Sequence, residues 1–464
     1  MKKIFLWVIR IGIIIGIPIV LFKSFQYFSK ATPVKANIVV DTRKIVGIIP
    51  ANWKALAQGG EELGKRMLEN VVPPVAGLFP RYIRIDHIYD FYNVVSRSSD
   101  GQLKFDWQKL DETVCDIYHT GAKPFFSLGY MPEALSGDRS LISKPKNWND
   151  WSLVVQKTIE RYSGKNTRLC GQVTGPLLDG IYYEVWNEPD LETFGKWSLY
   201  PSQKSYQDLY YYSVIGAQKA QDVNYFLIGG PATTTAYKNW FQIFADFIIE
   251  NNLRIDFLSW HHYSVKPDDF YQDVQNINQW LANPKYVRFQ HLPKIISEWG
   301  YDSAPNQIAD TNVGAAHTIA AIRNLIEQNV QMAFAFEIKD GPNPSWGLLT
   351  YQGEKKPRYF ALNLLNSLGR GRLSVTGEGT FVRAIASNEK NKITLVLVNY
   401  DQENRNTEMV PVSFVNLIPG NYTITETNLE GKTSTTNRLI DNYILNKSIV
   451  MPPNAVVVIE VAKQ

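Results

Sequence analysis

Short β-branched or aromatic runs alternate with longer amphipathic stretches over most of the chain. The runs are Lys44–Ile49, Tyr82–Asp86, Lys123–Leu128, Ile181–Trp186, Tyr225–Gly229, Phe257–His261, Lys294–Ser297 and Gln331–Phe336. Each is followed by a segment long enough for a helix, and Leu153–Tyr162 and Thr318–Gln328 repeat apolar residues at helical spacing. Apolar strands separated by helices predict a parallel sheet covered on both faces. Eight such units predict a closed (β/α)8 barrel with loop insertions over residues 38–370. From Arg372 onward the helical spacing disappears. Phe381–Ala386, Ile393–Tyr400, Val410–Val415, Tyr422–Thr427, Tyr443–Val450 and Ala455–Val461 read as strands, with turns at Pro419-Gly420-Asn421, Glu430-Gly431 and Pro452-Pro453-Asn454. They predict a small β-sandwich over residues 371–464, and Ile38–Val40 is a candidate further strand of it.

The N-terminus follows neither pattern. Lys2 and Lys3 precede Ile4–Trp7, Arg10 interrupts, and Ile11–Phe22 is wholly apolar. From Ile4 to Phe22 the stretch approaches the ~20 residues that a spanning helix needs. Residues 1–22 are therefore expected to form a transmembrane anchor or signal segment, and residues 23–37 a polar tether. No A-x-A-like cleavage site follows promptly, which favours an uncleaved anchor over secretion after signal cleavage. Either reading puts the rest of the chain outside the cytoplasm, with the membrane as a partner.

Composition narrows the function classes. Hydrophobic residues make up 45% and charged residues 20%, the balance of a globular protein. A net charge of +4 over 464 residues gives no basis for nucleic-acid binding. The 12 Trp and 25 Tyr can stack on sugar faces or fill ordinary cores, and composition does not choose between these uses. Cys115 and Cys170 stand alone, outside any CxxC or Cys/His cluster. They are expected to be two buried free thiols, and no structural zinc is implied. With no Walker loop, GxGxxG, GxSxG or HExxH, no metal or organic cofactor is expected.

Two strings carry chemistry, Trp186-Asn187-Glu188-Pro189 and Ser297-Glu298-Trp299-Gly300. Each sets one carboxylate at the end of a predicted strand, the fourth and the seventh. In a barrel the reactive groups gather at the C-terminal strand ends, so the two can meet. A glycosidic bond is cut by such a pair, one group protonating the leaving oxygen and one attacking. Pleat alternation puts His261 and Tyr263 on one face at the end of strand six, with His262 on the other. Tyr263 is then placed to donate to a neighbouring carboxylate. Arg84, near the end of strand two, is expected to lower the pKa of the nucleophile. Asn187 is a candidate holder of a sugar hydroxyl, Trp299 and Trp346 are candidate stacking platforms, and Glu337 a candidate lining residue of the sugar pocket.

These residues resemble glycoside hydrolase family 39, within a clan of retaining (β/α)8 glycosidases. The resemblance runs from about Val46 to Leu368. It rests on Tyr82-Ile83-Arg84, Leu128-Gly129-Tyr130-Met131-Pro132-Glu133-Ala134-Leu135, Trp186-Asn187-Glu188-Pro189-Asp190-Leu191 and Gly229-Gly230-Pro231. It continues through Ser259-Trp260-His261-His262-Tyr263, Ser297-Glu298-Trp299 and Trp346-Gly347-Leu348-Leu349-Thr350 with Lys356-Pro357. The resemblance implies that Glu188 is the acid/base, that Glu298 is the nucleophile, and that a β-sandwich trails the barrel. The chain departs from the family where His-Gly is usual, reading Asp86-His87. It departs again after strand eight, reading Phe334-Ala335-Phe336-Glu337-Ile338-Lys339-Asp340. Activities in the family include β-xylosidase, α-L-iduronidase and exopolysaccharide hydrolase, and an anchored layout resembles the last of these. The expectation is a retaining glycoside hydrolase acting on an extracytoplasmic oligo- or polysaccharide. Transglycosylation at the same carboxylate pair and non-catalytic glycan binding are the alternatives.

Overall fold

The computed structural model describes residues 33–59, 62, 65–173, 175–343 and 346–464. The expected membrane segment and residues 23–32 of the expected tether lie outside the described residues. Among the described residues, no helix is long and apolar enough to cross a membrane.

In chain order the strands begin with β1 (Ile38–Ile48), β2 (Ala55–Gln58), β3 (Tyr82–Ile85), a small hairpin of β4 (Val95–Arg97) and β5 (Leu103–Phe105), and β6 (Lys123–Leu128). A second small hairpin, β7 (Arg168–Leu169) and β8 (Gln172–Val173), precedes β9 (Ile181–Val185), β10 (Phe226–Thr233), β11 (Phe257–Tyr263), β12 (Lys294–Gly300) and β13 (Met332–Phe336). Strands β2, β3, β6 and β9–β13 close a parallel barrel in that order, β13 pairing back onto β2. The first barrel strand is thus Ala55–Gln58, not Lys44–Ile49 as expected. Lys44–Ile49 carries the β-branched residues, yet its first five residues end β1, where Ile45 pairs with Leu373 of the C-terminal sheet. The true strand, Ala-Leu-Ala-Gln, is short and poor in strand formers, so propensity does not reveal it. Its small Ala55 and Ala57 face the barrel interior beside Phe125, Phe257 and Phe334.

That interior is an aromatic floor. Phe125 stacks on Tyr182 at 5.4 Å, and its ring centroid is 4.7 Å from Phe334. Two residues beyond Tyr82 and Tyr182 on the same faces come Arg84 and Glu184, so the pleat lifts charged groups directly above the floor. Outward-facing Ile83, Phe126, Tyr183 and Trp260 join the apolar layer under the helices. Helix Trp148–Tyr162 shows why these segments are helical. It buries Trp151, Val154, Val155, Thr158, Ile159 and Tyr162 along one stripe, and its Asn147 cap accepts from the Asn149 amide.

Strand β12 breaks the alternation. Its pairing with β11 runs Ser259 to Ile295 and Trp260 to Ile296, then jumps to His261 opposite Glu298. Its pairing with β13 skips likewise, from Ile296 to Trp299. Ser297 is the extra residue of a β-bulge, and the bulge re-aims the two residues that follow it.

The remaining strands are β14 (Gly371–Thr376), β15 (Val382–Glu389), β16 (Lys392–Asn399), β17 (Glu408–Val415), β18 (Gly420–Asn428), β19 (Thr433–Ile440), β20 (Leu445–Met451) and β21 (Val456–Lys463). With β1 they form one continuous nine-stranded sheet in the order β19-β18-β21-β16-β15-β14-β1-β17-β20. The expected sandwich is therefore a single sheet curled around one core. Ile38, Leu397, Val412, Phe414, Ile424 and Ile459 meet inside it, and Lys447 of edge strand β20 pairs with Glu426 near the other edge. The register slips of β1 between Asp41 and Gly47 lie where the sheet turns. Residues 34–37 belong to this sheet rather than to a free tether. The Thr380 amide donates to the Val34 carbonyl at 2.8 Å, and the Ala36 amide donates to the Glu408 carboxylate.

Barrel and sheet are fastened together. Arg323 on helix Asn312–Glu327 donates to both oxygens of Glu378, at 3.1 and 2.7 Å. The Tyr400 hydroxyl donates to the Val265 carbonyl, just beyond β11, at 2.6 Å. Cys115 and Cys170 are not free thiols. They form a disulfide between helix Gln108–His119 and the turn of the β7–β8 hairpin, with Cα atoms 5.5 Å apart. Their separation of 55 residues hid the pairing, because only the hairpin brings Cys170 back to the helix.

Candidate active site

The turn after β9 holds Glu188 in an unusual backbone. Trp186 and Glu188 have φ of 73° and 43°, in the left-handed region that non-glycine residues rarely adopt. Two hydrogen bonds fix it. The Trp186 indole donates to the Phe194 carbonyl at 2.9 Å, and the Glu188 amide donates to the Ala232 carbonyl at 2.9 Å.

Across the mouth, the bulge at Ser297 turns Glu298 inward. Tyr263 donates its hydroxyl to Glu298 Oε1 at 2.5 Å, and Arg84 donates Nη1 to Oε2 at 3.3 Å. His261 sits between the two carboxyl groups, its Nδ1 2.9 Å from Glu188 Oε1 and 3.7 Å from Glu298 Oε2. One oxygen each of Glu188 and Glu298, with a His261 nitrogen, all lie within 4.8 Å of one another. These three residue types can also ligate a metal. Among the described residues this is the one such cluster, and its members already bind one another, Arg84 and Tyr263.

Arg84 is the hub. Besides Glu298, its guanidinium donates Nε to Glu184 at 2.9 Å and Nη2 to Asn187 Oδ1 at 2.7 Å. Asn187 in turn donates Nδ2 to the Tyr130 hydroxyl at 2.8 Å. The amide expected to hold a sugar hydroxyl is thus largely committed to positioning Arg84 and Tyr130. Burial pushes Glu298 above the ordinary carboxyl range. His261 opposes that rise, Glu188 adds to it, and Arg84 and Tyr263 oppose it. Arg84 therefore acts in the expected direction but does not win. Burial also works to lower His261, but the Glu298 and Glu188 carboxylates outweigh it and the ring is raised. Tyr263 is pushed well up by burial and by Glu298, so it remains a donor.

The structure brings Glu188, Glu298, Arg84, Asn187, His261 and Tyr263 together. His262 turns away, 2.6 Å from Asp273, as alternation requires. Glu337 and Trp346 form a wall beside the group. Gln58 donates Nε2 to Glu337 Oε2 at 3.2 Å, the Trp346 indole donates to the Asp302 carbonyl at 3.0 Å, and its ring lies 5.6 Å from Phe336. Burial, then Asp340 and Glu298, push Glu337 well above the usual range. A recess of about 310 Å³ opens beside this wall, lined by Gln58, Lys339, Asp340 and Tyr351 among others. Trp299 is not at the mouth. The bulge points it outward, fully buried, 5.6 Å from Phe270 and 6.4 Å from His317. It is core packing, not a stacking platform. Sequence reasoning missed Gln58, because its strand was misplaced, and gave Glu184 no role. Glu184 was within reach of the same alternation that found His261 and Tyr263.

The comparisons with known proteins give the family of the chain. The model of glycosyl hydrolases family 39 matches residues 65–429. The chain belongs to glycosyl hydrolases family 39. It is a glycoside hydrolase, as its resemblance to family 39 implied. A β-xylosidase of Caldicellulosiruptor saccharolyticus is 27% identical over 356 residues, 69% of each chain. Among solved structures, a GH39 enzyme from Xanthomonas axonopodis pv. citri superposes with TM-score 0.75 at 18% identity, over 94% of this chain and 99% of that one. A monomeric β-xylosidase from Caulobacter crescentus CB15 gives TM-score 0.74 at 22% identity, over 92% and 99%. At such identities these two likenesses establish the shared fold of the family-39 chain.

Proposed function

We propose that this family-39 enzyme is a retaining, β-xylosidase-like glycosidase in which Glu298 is the nucleophile and Glu188 the acid/base. The observation that carries the reading is the spacing of the carboxyl groups, with oxygens within 4.8 Å of one another. Retaining enzymes hold the pair about 5–5.5 Å apart, whereas inverting enzymes leave about 6.5–9.5 Å for a water. The donors divide the labour. Arg84 and Tyr263 both donate to Glu298, so a negative charge on it is met by two hydrogen bonds. Among the described residues the Glu188 side chain is met by His261 alone, which leaves it open to a substrate oxygen.

In the first step Glu298 attacks the anomeric carbon while Glu188 protonates the departing oxygen. In the second, Glu188 takes a proton from a water that attacks the same carbon, and Glu298 leaves. Arg84, His261 and Tyr263 orient the pair, while Glu337 and Trp346 line the sugar pocket. The names of the curated relatives support a xyloside as the first substrate to try. The decisive experiment is proton NMR of the first product of an aryl β-xyloside or β-glucoside. Initial release of the β-anomer supports the mechanism, and initial release of the α-anomer sinks it.

We also infer that the enzyme works outside the cytoplasm, held to the membrane by residues 1–22. The apolar run Ile11–Phe22 supports this, and so does the Cys115–Cys170 disulfide, which needs an oxidising compartment to persist.

A further inference from the structure

The reacting pair occupies one side of the mouth, on the ends of β9 and β12, with β11 between them in function. The other side is built by β2, β3 and β13, and there one group has no use in the mechanism. Asp86 stands two residues beyond Arg84, so alternation gives the two the same inward face, while Ile85 between them packs under the helices. The Oδ1 atom of Asp86 is buried and has no hydrogen-bond partner among the described residues. Its surroundings place it at the mouth. A Cβ built on Gly59 would stand 3.0 Å from the Phe336 ring and 3.7 Å from Asp86 Oδ1, so the ends of β2, β3 and β13 converge on that point. Asp86 is also close enough to Arg84, Tyr130 and Glu337 to act on the protonation of each.

A buried acceptor without a donor is costly unless a ligand supplies one. Two cations of this side are already paired with carboxylates. Arg84 faces Glu184 and Glu298. Lys356 faces Asp310 and Asp340. Arg358 donates Nη1 to the Phe336 and Trp346 carbonyls at 3.2 and 2.9 Å, from under the wall, while its Nε and Nη2 have no partner among the described residues. A sugar whose anomeric carbon lies between Glu188 and Glu298 turns its far hydroxyls toward this side. A sugar bearing its own carboxylate would bring it against the Asp86 carboxylate, whereas a hydroxyl can donate to the orphaned Oδ1.

We propose that Asp86 is a specificity-determining residue of the sugar site, taking a hydrogen bond from a hydroxyl of a neutral sugar and excluding a uronic acid. The proposal rests on the glycosidase reading above and narrows it to a substrate class. Its test uses 4-nitrophenyl β-D-xyloside, β-D-glucoside, their mono-deoxy analogues and β-D-glucuronide, with the wild type, Asp86→Ala and Asp86→Asn. In the wild type, removing the hydroxyl that Asp86 holds lowers kcat/KM about ten- to a hundredfold. In Asp86→Ala that same deletion costs about threefold or less, while deletions elsewhere on the ring cost what they did before. Asp86→Asn keeps the side-chain volume, and in it the preference for glucoside over glucuronide narrows by at least about tenfold. A deoxy penalty of equal size in wild type and both variants overturns the proposal, because a purely structural Asp86 would give that result. So does a wild type that cleaves glucuronide as fast as glucoside. If no glycoside in the set is turned over by the wild type, the β-xylosidase-like reading itself falls, which is a separate result.

Discussion

Replacing Arg84 by Met isolates what its guanidinium does. The change keeps an unbranched chain of similar length and removes three hydrogen bonds, to Glu184, Glu298 and Asn187. Glu184 is the first casualty. Its side chain is wholly buried, and its Oε1 has no partner even with Arg84 present. Without Arg84, neither oxygen of a buried carboxylate is paired, a loss worth about 3–5 kcal/mol of stability. Adding Glu184→Gln removes the stranded charge and is expected to return at least about half of that. The two substitutions together should thus be less damaging than Arg84→Met alone. Urea unfolding followed by tryptophan fluorescence reads the cycle. Activity reports the other end of the guanidinium. Burial and Glu188 raise Glu298, and Arg84 is one of the groups holding that rise back. Since the nucleophile must be ionised, removing Arg84 moves the acid limb of kcat/KM to higher pH. The lost charge-assisted hydrogen bond should lower kcat/KM about 10- to 200-fold at neutral pH. A double variant no more stable than the single one, or an acid limb that stays put, would refute the hub assigned to Arg84.

Glu298→Ala should abolish turnover, with azide restoring it as a glycosyl azide of inverted configuration. Glu188→Ala should keep the first step for good leaving groups and give azide product of retained configuration, and swapped stereochemistry would exchange the two roles. Reducing the Cys115–Cys170 bond, which spans 55 residues, should cost about 4 kcal/mol on the chain-entropy account, read as a lower thermal midpoint with reductant. Unchanged midpoints would show that the bridge does not restrain the unfolded chain. The full-length protein should stay in the membrane fraction through high-salt and carbonate washes, because apolar burial is insensitive to screening. Truncation should stop at residue 32, since Val34 and Ala36 are bonded to the sheet. A mature wild-type chain beginning after Ala31 would replace the anchor by a cleaved signal.

Most of the barrel was legible because parallel strands buried on both faces are near-continuous apolar runs. The one barrel strand misplaced, β2, is four residues long and half alanine. Its position is set by tertiary space, where Ala55 and Ala57 leave room for the large rings of the floor. The disulfide was hidden for a related reason, since the hairpin that returns Cys170 to the helix has strands of only two residues each. The curl of the C-terminal sheet was hidden too. Strand count and alternation are the same for two facing sheets and for one sheet folded over, and only the pairing of β1 with both β14 and β17 joins the halves.

Alternation also explains where the site was read correctly and where it was not. It gave His261 and Tyr263 correctly because β11 keeps its inward phase up to the mouth. Counted the same way from Ile295, which faces the floor, strict alternation along β12 sends Ser297 and Trp299 inward and Glu298 outward. Both consequences are reversed in the structure, and by one residue. The bulge at Ser297 shifts the phase by a single position, delivering Glu298 to Tyr263 and Arg84 and sending Trp299 into the helix layer. The two expectations attached to this string, a reactive Glu298 and a sugar-stacking Trp299, could therefore not both hold. They are adjacent on a strand, so whatever turns one inward turns the other out. Deleting Ser297 should restore regular pairing and leave both side chains on their present faces, because Glu298 then follows outward-facing Ile296 directly and still pairs with His261. Glu298 should stay beside Tyr263 and Arg84, and Trp299 against Phe270 and His317, so the variant should keep its fold and measurable activity. A deletion variant that folded but had lost all activity would mean that the extra residue does more than set the phase of the strand.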